Sequence, residues 1–201
     1  MCMEDNYIKR TTIRNIKLFD YLKGLINVGL LDNKFINSTQ KVGNKNIIQT
    51  EHKIRKDYTL TLKECSIIDM YIFKSTGLIN HCNHRELWKI LYYDGKNNSF
   101  RGQHKDWSTN ACHRKLSIVM CLSKQNDYTG GEFIFNDLNI SYKLDLGDVI
   151  IFDSKLTHEV LPVTSGERYV LTAFTFDDNG MHIKKSIIII TNYYIHQLIV
   201  Y

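Results

Sequence analysis

The strongest constraint on the fold is a succession of short segments, rich in β-branched and aromatic residues, that begins after Arg85. Turn residues such as Asp94-Gly95 and Ser165-Gly166 separate these segments, and the gaps between them are too short for helices. A parallel α/β fold needs such helices, so the pattern favours an all-β barrel or double-sheet body. The predicted strands cover residues 87–93, 116–122, 132–135, 141–144, 148–152, 158–163 and 169–176.

Helical periodicity is typical of the part of the chain before this β-rich body. Apolar residues at helix spacing predict helices over residues 13–31 and 63–80, and alternation over residues 54–62 predicts a strand. We therefore expect a mainly β protein with N-terminal helices, of the α+β class, within one domain. The expected parts are helical support and a first strand over 1–84, a β core over 85–180 and a C-terminal extension over 181–201.

Charge and cysteine content indicate the cellular environment and the partners to expect for the protein. The net charge of +5 predicts scattered basic residues on a solvated face, with Lys53, Arg55 and Lys56 among them, and does not require a nucleic-acid partner. The five cysteines form no Cys-x-x-Cys pair, and residues 1–10 lack an apolar signal core. We therefore expect free thiols in an intracellular, cytoplasmic protein without a membrane partner. The oligomeric state stays open.

One group of residues suggests metal chemistry: His104 and Asp106, followed by His158 and Arg168. Side chains two apart in an extended chain point to the same side, so His104 and Asp106 are able to share one metal. A histidine from a distant strand, His158, would complete a two-histidine, one-carboxylate set of the kind used by non-haem Fe(II) oxygenases. The alternative interpretation is a surface hydrogen-bonded pair of His104 and Asp106 beside a structural His158. Motifs for phosphate cradling and for serine hydrolases are absent from the sequence.

Four linked segments resemble the 2-oxoglutarate/Fe(II) dioxygenases of the prolyl 4-hydroxylase type, including the bacterial PKHD hydroxylases. They are residues 116–123 (LSIVMCLS), 128–133 (YTGGEF), 146–152 (LGDVIIF) and 158–168 (HEVLPVTSGER). The resemblance covers about residues 54–176 with motif order and spacing kept. It implies a double-stranded β-helix, or jelly-roll, with supporting helices packed on one sheet. It also implies Fe(II), 2-oxoglutarate and O2 as cofactors, with ascorbate as a reductant.

The resemblance implies roles for four residues in the cofactor site. His104, Asp106 and His158 match the iron ligands of the family. Arg168, ten residues beyond the second histidine, matches the basic residue that holds the distal carboxylate of 2-oxoglutarate. A guanidinium suits that role because its planar fork binds a carboxylate through two hydrogen bonds.

Further residues are implied by the same resemblance. Tyr93 matches a tyrosine that faces the cofactor pocket, and Thr172 is placed to add a hydroxyl to the distal carboxylate. Arg55 and Asp57 match a pattern near the substrate entrance of the prolyl hydroxylases. Cys121 departs from the family, because many relatives carry a tyrosine there that also binds 2-oxoglutarate.

The resemblance favours hydroxylation of a prolyl residue in a protein or peptide, with release of succinate and CO2. Another amino-acid side chain or a nucleic acid remains an alternative substrate. Nucleic-acid demethylases usually carry asparagine and arginine where this chain has Val170 and Phe174, which counts against that alternative. A non-catalytic jelly-roll binding module and a cupin-like protein with another metal are the further alternatives. The segment His81-Cys82-Asn83-His84 lacks a second pair at zinc-site spacing, so we do not expect zinc there.

Overall fold

The computed structural model describes residues 7–42, 45–47, 52–77 and 84–176 of the chain. The two helices within these residues are α1 (Ile16–Leu31) and α2 (Leu62–Thr76). The strands are β1 (Ile8–Thr12), β2 (Ile36–Asn37), β3 (Gln40–Val42), β4 (Lys45–Ile47), β5 (Lys53–Ile54), β6 (Lys56–Thr59), β7 (His84–Arg85), β8 (Lys89–Asp94), β9 (Phe100–His104), β10 (Leu116–Cys121), β11 (Tyr128–Gly130), β12 (Phe133–Phe135), β13 (Ile140–Tyr142), β14 (Asp148–Asp153), β15 (His158–Val160) and β16 (Val163–Phe176).

Both predicted helices form, and capping residues set their ends. Asn15 caps α1 by accepting a hydrogen bond from the Leu18 backbone N–H, so the helix begins later than residue 13. Thr61 and Glu64 form a reciprocal capping box at the start of α2. Gly77 adopts a left-handed conformation, with φ of 72°, and ends α2 there. Residues 78–80 of the predicted helix lie outside the described residues.

Two antiparallel sheets make up the body of the protein. The larger sheet runs in the order β1-β14-β10-β16-β8-β6-β2, and β7 and β11 also pair with β16. The smaller sheet runs β13-β12-β15-β9-β5. Strands that are distant in sequence lie side by side in both sheets, as the jelly-roll prediction requires.

The larger sheet is covered on both faces, which explains the uninterrupted apolar sequence of its central strands. All six residues of β10 are buried. Ile118 and Met120 pack in the cluster that contains the apolar faces of α1 and α2, whereas Val119 and Cys121 pack in the cluster shared with the smaller sheet. This alternation places the helices on one face of the larger sheet and the second sheet on the other.

The first 84 residues contribute more strands than the one predicted. β1 pairs with β14 at the edge of the larger sheet. The predicted strand over 54–62 is instead two short strands, β5 in the smaller sheet and β6 in the larger one. Arg55 lies between them, so the chain crosses from one sheet to the other at that residue. The extension at 181–201 and residues 81–83 lie outside the described residues.

No helix in the described part of the chain combines the length and the apolar character needed to cross a membrane.

Candidate functional site

The three predicted metal ligands lie together on the smaller sheet. His104 at the end of β9 and His158 at the start of β15 are directly paired across the two strands. The His104 Nε2 atom lies 3.5 Å from Asp106 Oδ1, and the His158 Nε2 atom lies 3.4 Å from Asp106 Oδ2. One ligand atom from each of the three residues falls within 4.8 Å of the others. The structure therefore brings together a set of atoms that is able to hold one metal ion.

Both histidine rings are oriented by backbone carbonyls. The Nδ1 atoms of His104 and His158 lie 2.9 Å from the carbonyl oxygens of Gly102 and Leu156. A carbonyl only accepts hydrogen bonds, so each Nδ1 carries the proton and each Nε2 keeps a lone pair. This tautomer is the one a metal requires when it binds through Nε2.

Burial and mutual contacts hold the cluster in metal-binding protonation states. Burial lowers the pKa of His104 to about 4, so its imidazole is neutral at physiological pH. Burial alone would raise the pKa of Asp106, but the neighbouring His158 and His104 hold it well below its usual range. A neutral imidazole at His104 and the Asp106 carboxylate thus face a common point with the His158 ring.

Two residues that the sequence analysis did not identify, Ser117 and Arg114, hold Asp106 in position. It follows β9 rather than lying within a strand, so strand alternation does not orient it. Ser117 in β10 donates a hydrogen bond of 2.7 Å to Asp106 Oδ2, and its hydroxyl also lies 2.9 Å from the Ser154 hydroxyl. A fully buried serine within an otherwise apolar strand is the sequence signal that points to such a partner.

An arginine fixes the backbone of the same carboxylate residue. The Arg114 Nη1 atom donates to the Asp106 carbonyl at 3.1 Å. Its Nε and Nη2 atoms donate to the two carboxylate oxygens of Glu86 at 2.8 and 3.0 Å. Glu86 therefore holds Arg114, and Arg114 holds the turn that carries the third ligand.

Arg168 lies in β16 of the larger sheet, across the interior from the histidine pair. Its side chain is buried, at 1% exposure, and its three guanidinium nitrogens have no hydrogen-bond partner among the described residues. Its Cζ atom lies 5.2 Å from the ring centre of Tyr93 and 5.7 Å from that of Tyr128. Gly131, with φ of 69°, gives it room, because a Cβ atom there would lie 3.1 Å from Arg168 Cδ.

All eight residues that the sequence singled out line one cavity of about 540 Å³. They are Arg55, Asp57, Tyr93, His104, Asp106, His158, Arg168 and Thr172. Residues from both sheets line this cavity, so the metal-ligand cluster and Arg168 open onto a common space.

Tyr93 is linked to the predicted substrate entrance by hydrogen bonds. Arg55 donates to the Tyr93 hydroxyl at 3.0 Å and to Asp57 at 3.0 Å, and Ser38 also donates to Asp57. Because the Tyr93 oxygen accepts from Arg55, its own proton is available to donate into the cavity. Thr172 differs, since its hydroxyl donates to the Ile118 carbonyl at 2.8 Å. Its predicted contact with 2-oxoglutarate therefore requires the hydroxyl to rotate.

The sequence predicts a solvated face for Lys53, Arg55 and Lys56, and the structure corrects this prediction. Lys53 is buried, at 7% exposure, and its Nζ atom donates to the Thr39 carbonyl at 2.6 Å. Lys56 alone of the three is exposed. Lys53 and Arg55 thus line the cavity, because the chain turns inward between β5 and β6.

The donor sets fit Fe(II) and 2-oxoglutarate on the chemistry of the residues present. Two histidines and a carboxylate match the facial ligand set that leaves metal positions open for substrate and O2. A buried guanidinium without a partner is costly unless an anion meets it, and the distal carboxylate of 2-oxoglutarate supplies such an anion.

Comparisons with known proteins agree with this arrangement. The family model described as the 2OG-Fe(II) oxygenase superfamily matches residues 88–176. A PKHD-type hydroxylase of Prochlorococcus marinus strain MIT 9515 is 31% identical over 59% of this chain and 52% of its own length. The first curated relatives are matched over about a quarter to a half of their length.

Solved structures match over most of the chain. A Pseudomonas putida prolyl-4-hydroxylase is 15% identical with a TM-score of 0.65, covering 86% of this chain and 94% of its own. A prolyl hydroxylase of Trichoplax adhaerens, solved with a hypoxia inducible factor peptide fragment, is 18% identical with a TM-score of 0.66, covering 90% and 87%. These matches confirm the predicted double-stranded β-helix.

Residues 88–176 are therefore similar to the 2OG-Fe(II) oxygenase superfamily, and the curated relatives matched in this part of the chain are PKHD-type hydroxylases. Members of this family require Fe(II), 2-oxoglutarate and O2. The fold is that of the solved prolyl hydroxylases, and the matched part of the sequence is similar to PKHD-type hydroxylases.

Proposed function

We propose that the protein is an Fe(II)- and 2-oxoglutarate-dependent dioxygenase that hydroxylates a prolyl residue in a protein or peptide. In the proposed reaction one oxygen atom of O2 enters the substrate C–H bond as hydroxyl. The other enters succinate, which 2-oxoglutarate forms with loss of CO2. Ascorbate fits as a reductant that keeps the iron as Fe(II).

One observation carries the proposal: a buried arginine, without a hydrogen-bond partner among the described residues, shares a cavity with three metal-ligating side chains. The alternative of a surface hydrogen-bonded pair does not account for Arg168. A binding module that had lost its chemistry would have no use for a buried unpaired cation beside a metal-ligand set. The arrangement supports a site that accepts a divalent metal and a dicarboxylate together.

We assign each residue a role in that site. His104, Asp106 and His158 would hold Fe(II), and the metal would supply the O2 chemistry together with 2-oxoglutarate. Arg168 would bind the distal carboxylate of 2-oxoglutarate, and the Tyr93 hydroxyl would donate a hydrogen bond to the same molecule. The apolar residues shared by the two sheets exclude water from this space.

Two further assignments concern the rest of the cavity. Thr172 adds a hydroxyl to the carboxylate after rotation away from the Ile118 carbonyl. Arg55 and Asp57 shape the entrance, where their ion pair holds Tyr93 in place by the hydrogen bond from Arg55. Replacing either entrance residue is expected to affect peptide KM more than kcat.

The prolyl substrate is supported by the structural neighbours rather than by the cavity alone. The Pseudomonas putida and Trichoplax adhaerens proteins are both named as prolyl hydroxylases, and the second was solved with a peptide fragment. Both cover most of this chain. A peptide segment is therefore the substrate class we propose first.

The test is a screen of proline-containing peptides with the full chain, Fe(II), 2-oxoglutarate, O2 and ascorbate. We expect a mass gain of one oxygen on a proline, matched by an equal amount of succinate. Asp106→Ala should abolish both products, and Asp20→Ala, which removes an exposed carboxylate of α1, should change neither. Succinate formation with hydroxylation on a residue other than proline would contradict the prolyl assignment. Full turnover in Asp106→Ala would contradict the site itself.

A further inference from the structure

One wall of the cavity carries more positive charge than the proposed cofactors require. Lys53, Arg55, Lys89 and Arg101 line it, with Asp57 as the carboxylate among them. Arg55 is neutralised by Asp57 at 3.0 Å. The remaining cations are separate from Arg168, which we assign to 2-oxoglutarate.

Two of these cations face each other across the smaller sheet. Lys53 in β5 is directly paired with Arg101 in the antiparallel strand β9. Like charges at directly opposed positions destabilise a sheet, and burial of Lys53 increases the cost. Burial together with Arg55 and Arg101 lowers the pKa of Lys53 to about 8. Such a pair is unfavourable unless an anion lies between or beside the two side chains.

The Arg101 side chain has no hydrogen bond or ion pair with any residue in the described ranges. It lies three residues before the proposed iron ligand His104 on the same strand. Burial and the neighbouring Arg55 lower the pKa of Arg101, against the opposite effect of Tyr93, Asp106 and Asp57. A cation with open side-chain donors therefore lines the same cavity as the metal-ligand cluster.

We propose that Lys53 and Arg101 bind carboxylate side chains of the substrate, so that the protein acts on an acidic peptide segment. This inference rests on the proposed function and adds a substrate class to it. Asp or Glu residues would flank the reacting residue, and their carboxylates would accept hydrogen bonds from Arg101 and Lys53. The guanidinium of Arg101 binds a carboxylate in a fork geometry that a neutral side chain does not reproduce.

The aromatic residues of the cavity favour a peptide over a nucleic acid. Single-stranded nucleic acids bind where cations alternate with exposed aromatic rings on which bases stack. Here Tyr93 and Phe133 are buried. Phe174 is covered by the Arg114 guanidinium, whose Cζ atom lies 3.7 Å from the ring centre. Among the described residues that line the cavity, the charge of the wall is thus not accompanied by an uncovered phenylalanine or tyrosine ring.

The test measures binding without turnover. The full chain is mixed under anaerobic conditions with Fe(II), 2-oxoglutarate and fluorescently labelled peptides of equal length that share a central proline. The residues flanking the proline are Glu in one peptide and Gln in the other. We expect the Glu peptide to bind at least about tenfold more tightly by fluorescence anisotropy. We expect Arg101→Gln to remove most of that preference.

Matched variants test whether the preference for the Glu peptide depends on the basic wall of the cavity. Lys53→Gln should reduce the preference as well, and Lys56→Gln, which changes an exposed lysine outside the cavity, should leave it unchanged. Circular dichroism establishes that each variant is folded, and Lys53→Gln decides the matter if Arg101→Gln does not fold. Equal affinity for the two peptides would overturn the proposal, as would an undiminished preference in both folded wall variants.

Two further probes separate this inference from its alternatives. A third peptide carries alanine in place of the central proline and keeps the Glu flanks. Preserved binding of this peptide, with no hydroxylation of the proline peptide, would contradict the prolyl substrate while supporting the acidic-segment inference. Tighter binding of a labelled single-stranded oligonucleotide than of the Glu peptide would overturn the inference in favour of a nucleic-acid substrate.

Discussion

Two arginines in this protein are buried to nearly the same degree but differ completely in their contacts. Arg85, at 2% exposure, donates to both carboxylate oxygens of Asp69 at 2.6 and 2.5 Å and to the Glu86 carbonyl at 3.0 Å. Trp88 donates to the same carboxylate at 2.8 Å. Arg168, at 1% exposure, has no such partner among the residues that the structure describes.

The difference separates an arginine that holds the fold together from one that is kept for a ligand. A buried charge costs several kcal/mol unless an opposite charge and hydrogen bonds compensate it. The carboxylate that compensates Arg85 belongs to the protein, in α2, and therefore forms part of the fold. Under the proposed function, the carboxylate that compensates Arg168 belongs to 2-oxoglutarate. The predictions below test this division.

The largest effect is expected from removing the internal partner of Arg85. Asp69→Asn leaves the guanidinium buried beside a neutral amide, so the free energy of unfolding should fall by about 3–5 kcal/mol. Urea denaturation without 2-oxoglutarate measures it. The exposed control Asp20→Asn should change stability by less than about 0.5 kcal/mol. If Asp69→Asn lowered the free energy of unfolding as little as the control does, the stability of the fold would not depend on the Arg85–Asp69 pair.

Removing Arg168 should weaken ligand binding without lowering stability, which is the opposite of the effect expected for Asp69→Asn. Arg168→Met takes away an uncompensated cation, so the unfolding free energy without ligand should stay equal or rise. Its affinity for 2-oxoglutarate should fall by at least about 30-fold, since one side of a buried charge pair is lost. In the wild type, ligand at 100 times its Kd should add about 2.7 kcal/mol of stability, and in the variant this gain should vanish at the same concentration. A destabilisation like that of Asp69→Asn would break the comparison.

The support around Asp106 should matter for metal affinity more than for folding. Ser117→Ala removes the hydrogen bond to Asp106 Oδ2, and we expect Fe(II) affinity to fall by about tenfold. An anaerobic metal titration measures it. Ser66→Ala serves as the control, because Ser66 is partly exposed on α2 and donates to a helix carbonyl. An unchanged iron affinity in Ser117→Ala would show that strand geometry alone orients Asp106.

The smallest effect concerns a third arginine, which is paired at the surface. Arg10, with its side chain 47% exposed, lies 2.7 Å from Asp148. Burial tends to raise the pKa of Asp148, but hydrogen bonds from Arg10, the Asp145 backbone and Thr12 lower it overall below 3.8. The stabilisation is therefore present above about pH 4 and is lost as the pH falls through the pKa of the folded state.

We accordingly expect Arg10→Gln to cost about 0.5–1 kcal/mol at neutral pH and nothing once Asp148 is protonated. Thermal denaturation of the wild type and the variant across this pH range checks the sign. The difference should also shrink at high salt, because the pair is partly exposed. A gap between the two proteins that widens in acid would contradict the assignment.

The central strands were predictable from sequence, and the edge strands were not. β10 and β14 carry continuous apolar runs because both faces of the larger sheet are covered. β1 has a half-buried, mostly polar sequence, so local pattern gave no reason to assign it. Apolar and polar residues do alternate over residues 54–62, but this pattern does not show that the chain crosses from one sheet to the other at Arg55.

The site was predictable only where residues match a linked set of family motifs. His104, Asp106, His158 and Arg168 belong to that set, and the structure brings them to one cavity. The residues that position Asp106 depend on which strands pair over long sequence distances, and local patterns carry no such information. The same holds for Arg101, whose basic character looks like that of any solvated residue until its register with Lys53 is known.

The most direct test of the account is an anaerobic titration of the purified protein with Fe(II) and then 2-oxoglutarate, followed by visible absorption. We predict a saturable metal-to-ligand charge-transfer band, which is lost in His158→Ala and needs much more 2-oxoglutarate to develop in Arg168→Met. Ser66→Ala should titrate like the wild type. No band at saturating Fe(II), or a band with the same 2-oxoglutarate dependence in Arg168→Met, would contradict the proposal that this cavity binds the two cofactors together.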